Sequence, residues 1–238
     1  MKGLHIITPV KDSIALSLQT AEAIVKSELS VPHTYTIYND FSTAEGTEQL
    51  REASDRLGFR LVNLADLTDH PSPNYLLVLQ LARREALRDD YGLLIVESDV
   101  TVAVDTLQRL YCGAMERDDC GLAAAVTVDE AGHINYPYLF ARKHEGQVRA
   151  EKHHFSFCCS LLTPRLLRAL DFDLLDPGKN WFDVSISHGS LRSGLRNYLF
   201  ANLPVVHRPH GSRPWKQLKY TNPLKYYWLK LVKHRDKI

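Results

Sequence analysis

Three short apolar runs, each closed by a polar cluster, constrain this chain more than any other feature. Leu4–Ile7 runs into Thr8-Pro9-Val10, Tyr35–Tyr38 into Asn39-Asp40-Phe41-Ser42-Thr43, and Leu93–Val96 into Glu97-Ser98-Asp99. An unbroken apolar run this short reads as a strand buried on both faces, which in turn demands helices above and below it. In an open parallel sheet, ligands bind where the carboxyl ends of the strands emerge. The three clusters are therefore expected on one rim.

The intervening segments supply the helices. Ile14, Leu18, Ala21 and Val25 share one helical face, as do Leu50, Ala53 and Leu57, and then Tyr75, Leu79, Ala82 and Ala86. Phe59–Val62 reads as a short strand, and Pro71 and Pro73 mark a loop. Asp105 is placed to cap a helix carrying Leu107, Leu110 and Met115, and Leu122–Val128 reads as a further strand. Such alternation predicts an α/β domain with a mainly parallel central sheet and helices on both faces. The second half is less regular: Gly132–Lys152 reads as a long loop or hairpin, Phe155–Leu162 as a strand and Pro164–Leu170 as a short helix. Val184–Leu195 then reads as a helix and Tyr198–Val206 as a late strand. A chain of 238 residues with 45% hydrophobic residues is long and apolar enough to bury one such core.

Two carboxylates one residue apart on the rim, Glu97 and Asp99, point to a hard divalent cation, for which carboxylate oxygen is the natural ligand. Each has a plainer alternative. Either acid can cap a turn, Asp40 can make an Asx-turn, and Ser42 with Glu45 fits a helix capping box. Asp183 can start a helix, and His207 can bond backbone at a strand end. His153, His154, Cys158 and Cys159 lack a second ligand pair at structural zinc spacing. What favours the joint reading is that consecutive core strands should bring their polar ends together.

In order and spacing these segments resemble the family-2-type inverting glycosyltransferases, which are nucleotide-sugar-dependent. The corresponding pieces are Thr8-Pro9-Val10, Asp40 to Thr47, the acid pair Glu97-Ser98-Asp99, Phe182-Asp183 with Leu191-Arg192-Ser193-Gly194, and Val205-Val206-His207. The resemblance spans roughly Leu4 to Ser212. It implies a single-domain glycosyltransferase A-type fold with a small second β element, and a catalytic domain over residues 1–212. It further implies a nucleotide site formed by Thr8, Pro9, Val10, Asp40, Ser42, Glu97 and Ser98. Asp99 and His207 are the expected ligands of Mn2+ or Mg2+, with His210 as a weaker alternative to His207. Asp183 is the expected general base, since one carboxylate within reach of an acceptor hydroxyl suffices for inversion. Three residues depart from the pattern: Phe41 stands for a glycine, Glu97 for the first aspartate of the acid pair, and Phe182 for a glutamate. The implied partners are a nucleotide-sugar donor, in particular a UDP-sugar, and a glycan or lipid-linked acceptor. Trp181, Tyr136 and Tyr138 are candidates to stack on the acceptor sugar.

From Arg208 onward nine Lys/Arg face one acid, so residues 213–238 read as a basic amphipathic tail. Leu224, Tyr227, Trp228, Leu231 and Val232 share a helical face edged by lysines, a pattern suited to a membrane surface. Arg208, Arg213 and Lys216 are placed to close over a diphosphate. The start of the chain lacks the pattern of a signal peptide, and the four cysteines form no dense framework. The expectation is a cytoplasmic protein, peripheral at the inner membrane face if it meets a membrane. Two other functions compete. A sugar nucleotidyltransferase would carry a glycine-rich basic loop after the first strand, where Thr8-Pro9-Val10-Lys11-Asp12 has no glycine. A binding module would keep the fold without turnover. No RNA- or DNA-reading motif accompanies the basic tail, so a nucleic-acid role is not expected.

Overall fold

Strand β4 (Gly92–Val96) is the centre of the molecule: all five of its residues are buried, as a strand sandwiched between two helical layers requires. The structure is a computed structural model describing residues 1–179, 181–208 and 222–232, the side chains of 230 and 231 excepted. On one side of β4 lie β1 (Leu4–Val10), β2 (His33–Asn39) and β3 (Arg60–Asn63), all parallel, in the order β3-β2-β1-β4. The helices α1 (Ile14–Val25), α2 (Ala44–Leu57) and α3 (Tyr75–Asp89) make the crossovers.

On the other side the sheet becomes mixed. Strand β8 (Cys159–Leu162) inserts antiparallel between β4 and β6 (Cys120–Val128). Beyond β6 comes β9 (Arg196–His207), parallel to it, and β9 in turn pairs antiparallel with β5 (Val100–Thr101) and β7 (Val148–Glu151). These three form the small second β element. The long segment after β6 is thus not all loop: it carries a 3-10 turn at Leu139–His144 and β7.

Two large cores flank the sheet, beside a smaller one built on Val10, Ile37 and Leu50. One joins Val78, Leu79 and Ala82 of α3 to Leu166 and Leu167 of α5 (Pro164–Ala169) and to Phe182 and Ile186 of α6 (Phe182–Arg192). The opposite one seats Ile24 of α1 and Leu107 and Leu110 of α4 (Thr106–Met115). Some helical faces are rotated from their apolar spacing. In α1 the buried positions are Ser17, Thr20, Ala21 and Ile24, while Val25 is 43% exposed, because small residues let this helix lie close to the sheet. Met115 is likewise exposed.

At the amino edge of the parallel strands lies a cavity of about 450 Å³ lined by His5, Thr34, Arg60, Glu85 and Asp89 among others. The buried His5 bonds Thr34 Oγ1 through Nδ1 at 2.6 Å, and its Nε2 lies 3.1 Å from Glu85 Oε2. Burial, the largest influence, outweighs the pull of Glu85 and lowers the His5 pKa to about 4.

Candidate active site at the carboxyl edge of the sheet

The three rim clusters meet at the opposite edge. The parallel register pairs Val10 with Asn39 and Ile7 with Ile95, and Asp40 N–H donates to the Val10 carbonyl at 2.8 Å. The loops after β1 and β2 are knitted together. Lys11 Nζ donates to the Phe41 carbonyl, Asp12 N–H to Ser42 Oγ at 2.9 Å, and Thr43 N–H to Asp12 Oδ1 at 3.2 Å. Asp12, Ser13 and Phe41 adopt positive φ (54°, 49° and 58°) to make this crossing. Phe41 therefore holds the left-handed conformation that the resemblance assigns to glycine, at a steric cost of about 1–2 kcal/mol. Helix α2 is capped one residue later than the S-x-x-E pattern predicts: Thr43 Oγ1 accepts from Gly46 N–H at 3.1 Å, which leaves Ser42 free for the Asp12 contact.

Among the expected nucleotide residues, Thr8 and Val10 are fully buried. Thr8 Oγ1 accepts from Tyr35 Oη at 3.1 Å, and Val10 packs with Ile37, Leu50 and Phe59. Thr8, Pro9 and Val10 are the last residues of β1, and of the three only Pro9 has a partly exposed side chain. Asp40 is 8% exposed and accepts three hydrogen bonds: from Ser72 Oγ (2.7 Å), Asn74 N–H (2.9 Å) and Asn74 Nδ2 (2.8 Å). A carboxylate has about four acceptor positions, so most of this one already serves to pin the loop that opens α3.

The acid pair sits where two antiparallel pairings converge. β8 lies against β4, and Glu97 N–H donates to the Cys158 carbonyl at 3.0 Å, which sets Cys158 beside Glu97. β9 lies against β5 with His207 opposite Val100, and Arg208 N–H donates to the Asp99 carbonyl at 2.9 Å. Ser98, Asp99, Cys158 and His207 are buried and Glu97 partly so. His207 Nε2 is 3.5 Å from Asp99 Oδ2 and 3.9 Å from Cys158 Sγ, and Cys158 Sγ lies 3.5 Å from Glu97 Oε2.

The tautomer of His207 follows from its other nitrogen. Nδ1 lies 3.0 Å from the Tyr136 carbonyl oxygen, which can only accept, so Nδ1 carries a proton. In the neutral ring the Nε2 lone pair then faces two carboxylates, an arrangement that calls for a positive charge between them. A second proton is one solution. Burial opposes it, but Asp99, Glu97 and the Tyr136 carbonyl together outweigh burial and raise the His207 pKa. A divalent cation is the other, and an imidazole fixed through Nδ1 by a backbone carbonyl is the usual support for a metal ligand. Glu97 shows the same deficit of positive charge: burial first, then Asp99 and Asp183, push its pKa up to about 7, against the pull of His207.

Asp183 lies in the first turn of α6, whose N-cap residue is Trp181, and its Oδ1 accepts from Val184 N–H at 2.9 Å. Its charge is felt at Glu97, Tyr75 and Tyr138, which places it on the same side of the molecule as the acid pair. Tyr75, at the start of α3, joins this group, and its buried Oη finds no hydrogen-bond partner among the described residues. Other expectations are redirected. Phe182 and Tyr138 are core residues, the latter with Oη donating to the Ser156 carbonyl at 3.0 Å. Tyr136 is 41% exposed, and Arg208 is engaged with Glu130 and Thr101. His210, Arg213, Lys216 and the boundary at residue 212 lie outside the described residues. The sequence offers Cys158 only in a zinc grouping with His153, His154 and Cys159 that lacks structural-site spacing, and it gives no signal for Tyr75.

This topology is the glycosyltransferase A-type fold. Among similar solved structures are the mannosyltransferase PcManGT from Pyrobaculum calidifontis with GDP-Man and Mn2+ (TM-score 0.65, 16% identity) and residues 1–349 of S. aureus TarS (0.63, 13%). A third is GalNAc-T7 with UDP, GalNAc and Mn2+ (0.66, 12%). The matches cover 99%, 86% and 98% of this chain, but 65%, 60% and 48% of those chains. This chain thus spans between about half and two thirds of the structures it resembles. No protein-family model matches the sequence, and no curated protein does.

Proposed function

We propose that this chain is a metal-assisted glycosyltransferase that moves a sugar, with inversion, from a nucleotide-diphosphate sugar to a hydroxyl of a glycan or lipid-linked acceptor. The observation that carries the proposal is the convergence of Glu97, Asp99, His207 and Asp183 at the carboxyl edge of a glycosyltransferase A-type sheet. Asp99 and His207, with Glu97 beside them, are the residues to hold Mn2+ or Mg2+, whose contribution is to neutralise the departing diphosphate. Asp183 accepts the proton of the acceptor hydroxyl as that oxygen attacks the anomeric carbon, and a single displacement inverts the centre. Pro9 and the remaining lone pair of Asp40 meet the base, with Thr8, Val10 and Ser42 fixing the loops behind them. Ser98 and Glu97 flank the ribose. The donor is read as a UDP-sugar: among the similar structures, TarS is seen with UDP-GlcNAc and GalNAc-T7 with UDP.

The helix Pro223–Val232 adds a surface to this reading. Leu224, Tyr227, Trp228 and Val232 are all more than half exposed, alongside the lysines of the tail. That is the composition of a helix lying on an anionic bilayer, and it would bring a lipid-linked acceptor to the site. Among the described residues no helix is long and apolar enough to cross a membrane.

The test is nucleotide-sugar binding and turnover with and without Mn2+. A donor at about 100 times its Kd should raise Tm by roughly 5–11 °C. Asp99→Asn should abolish the metal-dependent part of this shift. Asp183→Asn should keep donor binding and lose about 10²–10⁴-fold in transfer rate. Full transfer by Asp183→Asn would move the base elsewhere, and donor binding without any turnover would favour the binding-module alternative.

A further inference from the structure

The cation reading above names oxygen and nitrogen ligands, yet the atom that completes the cluster is sulfur. A Glu97 carboxylate oxygen, the Cys158 thiol and a His207 ring nitrogen all lie within 4.8 Å of one another. The Sγ–Oε2 and Sγ–Nε2 separations are 3.5 and 3.9 Å. Two ligands about 2.3 Å (sulfur) and 2.0–2.1 Å (nitrogen or oxygen) from one tetrahedral ion sit about 3.6 Å apart. The two sulfur separations lie close to that value, and the third pair, oxygen and nitrogen, is within 4.8 Å.

The backbone explains why the thiol is held there. Cys158 immediately precedes β8, its carbonyl is tied to Glu97 N–H, and Ser156 Oγ contacts Sγ at 3.2 Å. Cys158 is 2% exposed, and its sulfur sits at the border of the apolar core with Glu97 Oε2 and His207 Nε2 on its polar side. Cys158 and Cys159 both border the core that holds Leu161 and Phe200, and of the two it is Cys158 whose Sγ also lies against a carboxylate and an imidazole.

We propose that Cys158 is a metal ligand, so that Glu97, Cys158 and His207, with Asp99 beside them, form a mixed oxygen, nitrogen and sulfur site that binds borderline cations such as Zn2+ and Co2+ ahead of Mg2+. Thiolate is a soft ligand, and divalent ions later in the first-row series gain most from it. Binding deprotonates the thiol, and the released proton leaves to solvent. The inference rests on the presence of a cation site at the acid pair and adds the sulfur to it.

Co2+ titration of the whole chain separates the two claims. Thiolate ligation gives a near-ultraviolet sulfur-to-cobalt charge-transfer band in the native protein and in Cys112→Ser, which removes the exposed thiol. In Cys158→Ser that band should vanish while visible ligand-field absorption persists, and Zn2+ affinity should fall by at least the roughly 10- to 100-fold that even outer partners contribute. X-ray absorption of the Zn2+-loaded native protein, which needs no variant, should show a sulfur neighbour at about 2.3 Å. Ligand-field bands with no charge-transfer band, or a zinc shell of light atoms only, would overturn the role of Cys158 while leaving the carboxylate and imidazole site in place. No Co2+ binding at all would remove both.

Discussion

Asp40→Asn distinguishes a carboxylate that touches the nucleotide from one that builds the wall of its site. Asp40 Oδ2 accepts from Ser72 Oγ and Asn74 N–H, and Oδ1 from Asn74 Nδ2. Asparagine keeps one acceptor oxygen, so at most two of the three bonds survive, and its amide N–H₂ then faces the amide N–H₂ of Asn74. Asn74 cannot simply turn over, because Nδ2 also donates to the His70 carbonyl at 3.0 Å. Hydrogen bonds to a charged group contribute about 1.5–3 kcal/mol, and a buried donor left facing a donor adds its own penalty. The expected loss is about 2–4 kcal/mol, or roughly 5–15 °C in Tm for a domain of this size. Asn74→Ala should lose a similar amount, and the double variant should lose clearly less than the sum, since the two side chains share their bonds. Thermal melting with a double-mutant cycle reads all three. If Asp40→Asn melts within about 2 °C of the native protein but binds donor tenfold more weakly, the carboxylate is a base contact and the loop-pinning account is refuted.

Two further outcomes follow from the fold. His5 has a folded-state pKa of about 4 against an ordinary value of 6.5, so the unfolded chain binds the extra proton between those values. Its contribution is therefore complete above pH 6.5 and is lost as pH falls toward 4. Between pH 7 and 4.5 this amounts to a stability loss on the order of 2–3 kcal/mol, which His5→Gln should remove. Glu85, Arg60, Asp89 and Arg88 face this histidine, and urea denaturation of both proteins at the two pH values would show an unchanged difference if they, rather than His5, set the slope. At the other end of the chain, combining Leu224→Ser, Tyr227→Ser and Trp228→Ser should release the protein from vesicles rich in anionic lipid. Equal sedimentation of variant and native protein with the vesicles would discard the membrane surface.

What the sequence discloses here is local, and what it conceals is pairing. Leu93–Val96 is legible because a fully buried strand must be apolar at every position, and the rim clusters follow from strand order alone. The insertion of β8 is not legible: Cys159–Leu162 is as apolar as a parallel strand, and nothing in its composition says that it runs backwards between β4 and β6. Cys158 is hidden for the same reason, since its partners Glu97 and His207 are 61 and 49 residues away. The buried face of α1 is not legible either, because Ser17 and Thr20 are buried where close approach to the sheet outweighs their polarity. Asp40 was legible as important, but its neighbours Ser72 and Asn74 lie in a loop without periodicity.

The four-residue strand β8 also joins the two halves of the candidate site, since it lies between β4 and β6. Glu97 and Asp99 follow β4, Cys158 stands just before β8, and His207 closes β9. In the proposed cation site the carboxylates thus come from the first half of the chain and the thiol and imidazole from the second, and the grip on a cation would serve as a gauge of whether the two halves have been stitched together.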